Sequence, residues 1–406
     1  MKQKNKKASS GKRGNNVRSD CYLEIELKNS GGIKLLLKSK VETMYGDSIH
    51  KQINDMSEFF GIKHAYILLE DKGALPFVLA ARFEAAVNKV LKGNKKEYLL
   101  PFNEKNLYKT TKDKLRRSRL YLPGNEPKFF LNAGLHKPDG IILDLEDSVS
   151  PEEKHDARYL VRNALRSVDF YTSERMVRIN QLSNGLDDLR FVVPHNVHVI
   201  LIPKCESAEQ IGDVEAEVGR LKNLYNVKNE IYFMPIIESA PGINNAFKIA
   251  SASKQNCALA IGLEDYTADI GVERTIEGKE SFFARSMIIN AAKATGIQAI
   301  DTVYSDVSDM NGLYQSVLEA KSLGFDGKGC IHPRQIPVIH KAFAPTQDEI
   351  DRAKKIVAAF EEAEKKGIGV VSLGSKMIDA PIVKRARRTI HSALLNNLLN
   401  ENWRNA

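Results

Sequence analysis

Apolar and polar positions change rhythm along this chain, and the changes mark its units. Residues 1–18 show no apolar period and read as a polar, basic, disordered tail. CYLEIEL and IKLLLKSKV then alternate as strands on either side of the turn sequence Asn29-Ser30-Gly31-Gly32. IHKQINDMSEFF follows helical spacing and stops at Gly61, AYILLED alternates again, and LAARFEAAVNKVLKG is a strong helix former ending at Gly93. Together these predict a small two-layer α+β unit over residues 19–92.

Residues 93–115 break the pattern and read as a basic linker. From about residue 119, eight short apolar segments recur: RLYLP, GIILDLE, RMVRI, VHVILIP, IYFMPIIE, ALAIGLE, QAIDTVY and GCIHP. Each is followed by a helical stretch. Parallel-type strands alternating with helices predict an α/β fold, a (β/α)8 TIM barrel over 116–344. Such barrels carry their chemistry at the strand C-termini. Here those ends read Pro123-Gly124, Asp144/Glu146/Asp147, Arg178, Lys204, Glu238, Glu264/Asp265, Asp301/Tyr304/Asp306 and His332. Residues 345–406 are helical and lie beyond a finished barrel, so they should pack on its outside or on a neighbour.

Composition narrows the class. The chain has 406 residues, 43% hydrophobic and 27% charged, which excludes a mostly disordered chain, a collagen and a coiled-coil rod. No apolar run long enough to span a bilayer exists, and the basic N-terminus lacks the apolar core of a secretory signal. Cys21, Cys205, Cys257 and Cys330 have no metal-ligand spacing. These features predict a reduced, cytoplasmic protein with core cysteines.

The net charge of +9 invites a nucleic-acid partner until it is located. Residues 1–20 carry +6, residues 91–120 carry +7, residues 21–90 are neutral, and residues 121–406 carry −4. The positive charge therefore sits in the tail and linker, where it is ordinarily solvated.

The barrel mouth supplies the candidate chemistry. Glu238 and Asp265 end adjacent strands and can converge on one Mg2+, which takes a few carboxylates plus waters and substrate oxygens. The same residues also read as caps of the following helices. Asp144, Glu146 and Asp147 form a second acidic cluster, read as supporting the metal rather than ligating it. Arg178, an arginine at a strand end, suits a bidentate grip on a substrate carboxylate, or a salt bridge to Asp144 or Glu146. Pro123-Gly124 permits close backbone approach of a phosphate or thioester. Arg116, Arg117 and Arg119, just upstream, are expected to grip CoA-type phosphates. Lys204 and His332 read as structural.

Eight ordered segments carry a family resemblance: LRRSRLYLPG, IILDLEDSVSPEEKHDAR, VRIN, IPKCESAEQI, IIESAPGINNA, GLEDYTADIG, GFDGKGCIHPRQI and KMIDAPIV. They resemble the citrate lyase β-subunit family, with its malyl-CoA and citramalyl-CoA lyases, over about residues 115–395. VETMYGDSIH and LLEDKGALPFVLAARFEAAV resemble the citrate lyase γ-subunit, an acyl carrier protein, over about residues 14–92. The resemblance implies a carrier–lyase fusion that cleaves a citryl thioester to oxaloacetate and an acetyl thioester in citrate fermentation. It implies Mg2+ on Glu238 and Asp265, and substrate binding by Arg178. It also implies an acid–base role for Asp379, which in relatives reaches a neighbouring subunit's active site, and hence an oligomer. A separate acyl-exchange α-subunit and prosthetic-group maturation enzymes are the implied partners.

One departure matters. The carrier family attaches phosphoribosyl-dephospho-CoA to a serine, and in Gly14-Asn15-Asn16-Val17-Arg18-Ser19-Asp20 the serine position holds Arg18. Either the neighbouring Ser19 takes the arm, or the unit has lost it and serves as an assembly module. The second reading accompanies a lyase acting on free malyl-, citramalyl- or citryl-CoA. A third, non-catalytic reading is a scaffold or nucleic-acid binder, against which the complete set Arg178, Glu238, Asp265 and Asp379 argues.

Overall fold

The computed structural model describes residues 7–365, 371–373 and 376–405. Its N-terminal unit consists of β1 (Lys7–Gly11), β2 (Cys21–Leu27), β3 (Ile33–Ser39), α1 (Glu42–Phe60), β4 (Ala65–Asp71) and α2 (Pro76–Val90). The expected α+β unit is present, with two corrections. Residues 7–11 of the expected disordered tail form β1, which pairs antiparallel with β2; residues 1–6 lie outside the described residues. The strands flanking the Asn29–Gly32 turn are not hydrogen-bonded to each other. The sheet order is β1-β2-β4-β3, and β4 lies between them. β4 alternates most strictly, burying Ala65, Ile67 and Leu69, so it takes a central place. β3 exposes Lys34 and Lys38 along the edge, which blunts pairing with another chain. Gly61 ends α1 in the left-handed conformation, φ 73°, as its position in the sequence predicts.

The barrel strands are β5 (Ser118–Pro123), β6 (Gly140–Asp144), β7 (Glu174–Arg178), β8 (Val199–Ile202), β9 (Tyr232–Ile237), β10 (Ala258–Ile261), β11 (Gln298–Asp301) and β12 (Gly327–Cys330). All are parallel, and β12 pairs with β5 to close the barrel. The interleaved helices are α3 (Lys154–Ser167), α4 (Asn184–Val192), α5 (Ala208–Tyr225), α6 (Ala240–Asn244), α7 (Ala246–Ser251), α8 (Leu263–Asp269), α9 (Lys279–Ala294), α10 (Met310–Leu323) and α11 (Gln335–Phe343). Successive strand residues face opposite ways. Ile142, Met176, Leu201, Met234 and Ile300 fill the interior, while Ile141, Leu143 and Val177 meet the helices.

Beyond the barrel, α12 (Gln347–Lys365) and α13 (Ala380–Leu395) pack on each other through Ile356, Val357, Val383, Ala386 and Ile390. β13 (Val371–Leu373) and β14 (Lys376–Ile378) form a short hairpin between them. Among the described residues, no helix is long and apolar enough to cross a membrane.

The two units are not separated by a free linker. Helix α2 buries nearly its whole surface. Leu79, Ala80, Phe83 and Ala86 join the core of the small sheet, whereas Phe77, Val78, Ala81 and Ala85 join the barrel core. Arg162 of α3 donates to both carboxylate oxygens of Glu84, at 2.8 and 2.7 Å, with both side chains sealed from solvent. Lys89 pairs with Asp156 at 2.7 Å, and Asn163 donates to the Phe77 carbonyl at 3.0 Å. Residues 93–115 run along the barrel: the Asn103 amide donates to the Arg166 carbonyl, and Lys114 Nζ donates to the Thr172 carbonyl.

Candidate functional site

The C-terminal ends of the barrel strands enclose a cavity of about 230 Å3. Arg178, the last residue of β7, reaches across it. Its Nε and Nη2 donate to Asp144 of β6 at 2.7 Å each, and its Nη1 lies 2.8 Å from Glu146. Strand pairing sets this up, because Asp144 and Arg178 are register partners. Ser148 donates to Asp144, and Tyr121 of β5 lies beneath the guanidinium, 5.4 Å from it. Burial opposes ionisation of Asp144, but the hydrogen bonds from Arg178 outweigh it and hold the carboxyl below its usual range. Burial likewise opposes the charge on Arg178, and Asp144 outweighs it, so the guanidinium stays charged.

Glu238 follows β9 and is 95% buried. Burial first, then the negative charge of Glu146, pushes its carboxyl up to about 8. Two backbone features seat it. Lys204 adopts a left-handed conformation, φ 47°, and its N–H donates to Glu238 Oε2 at 3.0 Å. Gly262 leaves the space that the carboxylate fills, since a Cβ there would lie 2.4 Å from Glu238 Oε1. Asp265 sits in the first turn of α8, just past β10, and lines the same cavity half exposed. Lys204 Nζ lies 3.5 Å from Glu146, 3.6 Å from Asp147 and 3.7 Å from Asp265. Burial lowers the affinity of that amine for its proton, and the three carboxylates outweigh it and raise it.

Asp144, Glu146, Asp147, Glu238 and Asp265 thus gather around Arg178 and Lys204. Hard oxygen donors around an excess of negative charge fit a magnesium ion. Among the described residues, no preassembled group of three acid, histidine or cysteine ligands exists. Glu238 and Asp265 fit an ion that keeps waters and substrate oxygens in its remaining positions.

Other sequence expectations fall elsewhere. Asp144 and Glu146, expected to support a metal, hold Arg178, and Asp147 stands at the rim beside Lys204. Arg116 and Arg117 precede β5 and so lie at the opposite end of the barrel from the cavity. Arg116 is buried against Glu174 at 2.7 Å, and Arg117 against Asp139 at 2.8 Å and Asn396. A phosphate-gripping role for this pair is therefore corrected: both belong to the barrel floor. Arg119 points into the barrel interior and lines the base of the cavity, its Nη1 2.9 Å from Met234 Sδ. Gly124 is required by its own backbone, whose N–H donates to the Asp144 carbonyl at 2.7 Å; a Cβ would strike that oxygen at 2.4 Å. His332 Nδ1 accepts from the Arg334 N–H. Asp379 caps α13 by accepting from the Ile382 N–H at 3.2 Å. Among the described residues, none beyond Ile331 lines the cavity. Ser19 is half-buried in the loop between β1 and β2, with its N–H on the Lys72 carbonyl. Tyr121, Ser148 and Gly262 were not singled out from sequence. Their position on or just after a barrel strand was the available signal.

A family model described as HpcH/HpaI aldolase/citrate lyase matches residues 117–333. The chain belongs to this family. A second model, of acyl-carrier type and described as malonate decarboxylase delta subunit (MdcD), matches residues 9–90. The citrate lyase subunit beta of Leuconostoc mesenteroides subsp. cremoris is 41% identical over 290 residues, covering 71% of this chain and 96% of the relative. The mitochondrial citramalyl-CoA lyase of Homo sapiens is 33% identical over 288 residues, covering 68% and 84%. Among solved structures, CitE from Mycobacterium tuberculosis in complex with magnesium, acetoacetate and coenzyme A aligns with a TM-score of 0.58 at 28% identity. It covers 70% of this chain and 99% of that one. The relatives place the chain among carbon–carbon lyases of the aldolase/citrate lyase family, preceded by a carrier-like unit.

Proposed function

We propose that the barrel cleaves a citryl thioester by a retro-Claisen reaction, giving oxaloacetate and an acetyl thioester. The supporting observation is the convergence of Glu238, Asp265 and a pinned Arg178 in one cavity. Glu238 and Asp265 would hold Mg2+, which supplies a Lewis acid for the developing ketone and its neighbouring carboxylate. A base takes the proton from the tertiary hydroxyl. The carbon–carbon bonding electrons pass to the thioester α-carbon, and the resulting enolate is protonated there. Arg178, fixed by Asp144 and Tyr121, presents positive charge to a substrate carboxylate, which would compete with Glu146 for Nη1. Asp379 is the acid–base candidate. It lies outside its own chain's cavity, so this role requires a second copy to deliver it.

Glu238→Ala and Asp265→Ala should each abolish Mg2+-dependent cleavage while leaving the far-UV circular dichroism spectrum intact. Retained turnover in either variant would refute the metal assignment. A second reading, a lyase for free citryl-, citramalyl- or malyl-CoA, is favoured by Arg18 in the usual serine position. Activity of the chain alone on free acyl-CoA supports it. Citrate conversion only with an α-subunit and a prosthetic group on Ser19 supports the carrier-bound form.

A further inference from the structure

We propose that the carrier loop of residues 12–18, closed against the barrel rim, binds the phosphate groups of a CoA-type nucleotide without a covalent bond. A cavity of about 340 Å3 lies at this seam, walled by Lys12, Arg13, Asn15 and Arg18 from the loop and by Glu126 and Lys128 from the barrel. Its charge is surplus positive. Glu126 pairs with both Lys12 and Lys128. Asp20, a further wall residue, is neutralised by buried Arg82 at 2.7 Å. Arg13 lies flat on Tyr22, 3.7 Å from the ring centre, and its Nε and Nη2 donate to the two Glu70 carboxylate oxygens at 3.0 and 3.3 Å. Arg18 is exposed and has no ion pair among the described residues. The unpaired Arg18 guanidinium, beside two lysines that share the carboxylate of Glu126, suits phosphate, which arginine grips through paired donors.

The place fits as well as the charge. Glu126 lies three residues past the end of β5, and Glu153 lies in the loop from β6 into α3. Lys12 contacts both, the second at 3.4 Å. The pocket is thus on the same barrel face as Asp144 and Arg178. The packing of α2 against α3 fixes the loop there. The inference rests on the thioester cleavage proposed above, and it gives the carrier unit a role that needs no modified serine. The same chemistry could arrive as a free CoA thioester or as an arm on Ser19, and the replacement of the usual serine by Arg18 favours the free form.

The test is calorimetric titration of the full chain with coenzyme A and, separately, with pantetheine, which lacks the phosphates. The Arg18→Glu/Lys128→Glu variant should bind coenzyme A at least tenfold more weakly and pantetheine unchanged. Arg18→Gln, a milder change, should give an intermediate loss. In turnover, KM for an acyl-CoA should rise while kcat holds. Unchanged coenzyme A affinity in the charge-reversed variant overturns the proposal. So does an intact mass carrying a prosthetic group that disappears in Ser19→Ala, because the ligand is then covalent. Loop-dependent coenzyme A binding without cleavage would refute the lyase reading alone. Cleavage with unaltered KM in the variants would refute the loop site alone.

Discussion

Replacing Glu238 by Gln should stabilise the metal-free protein in alkaline solution and remove its response to magnesium. In the folded chain the carboxyl keeps its proton up to about pH 8, whereas its ordinary value is 4.5. Between these values the folded state binds more protons than the unfolded one, so stability falls as pH rises through the window. The gap sets a ceiling of about 5 kcal/mol on the loss, complete above pH 8. Glutamine never ionises and still offers an oxygen to the Lys204 N–H. Allowing for water entering around the ionised group, the variant should gain about 3 kcal/mol at pH 9 and differ little from the parent at pH 5. Urea unfolding in chelator measures both points. Magnesium at a hundred times its dissociation constant should add about 2.7 kcal/mol to the parent and little to the variant. A variant less stable than the parent at pH 9, or equal stabilisation of both by magnesium, would refute the reasoning.

Two further outcomes follow from the geometry. Glu84→Ala leaves the buried Arg162 guanidinium with the neutral Asn163 at 3.0 Å and Glu97 at 3.7 Å, and should cost about 3 kcal/mol or more in urea unfolding. Glu84→Leu combined with Arg162→Met should recover most of this, and a single-variant loss below about 1 kcal/mol would contradict the buried pair. If Asp379 serves a neighbour's cavity, mixed oligomers of Asp379→Ala and Arg178→Ala chains should regain part of the activity that each alone lacks. Absence of rescue would refute the acid–base role proposed for Asp379.

The barrel was legible because its signal is local and repeated: eight apolar segments, each ending in polar residues, became eight strands in the expected order. That Glu238, Asp265 and Arg178 line one cavity was legible for the same reason, since strand ends share one face. What escaped was pairing between distant segments. The turn at Asn29–Gly32 suggested neighbouring strands, but β4 arrives after a helix and takes the place between them. The polar tail gave no apolar period, yet β1 finds a partner in the edge of β2, and backbone hydrogen bonding carries no sequence pattern. Arg116 and Arg117 were misplaced by one strand length. They precede β5, and a strand carries its two ends to opposite faces of the barrel.

Helix α2 shows how sequence alone understated the union of the two units. Its alanine-rich stretch, LAARFEAAV, reads as helix propensity, which any solvated helix could share. In the fold those small residues let α2 lie close to the sheet on one side and to α3 on the other. Glu84 and Arg82 then appear as charges in an otherwise apolar helix because each has a buried opposite partner, Arg162 in one unit and Asp20 in the other. A carrier domain that must swing between active sites needs a surface it can leave. Leaving α3 would expose Phe77, Val78, Ala81 and Ala85 and would unpair Arg162 in one step, so the separation energy includes both apolar and ionic terms. The unit is therefore built to stay at the barrel rim.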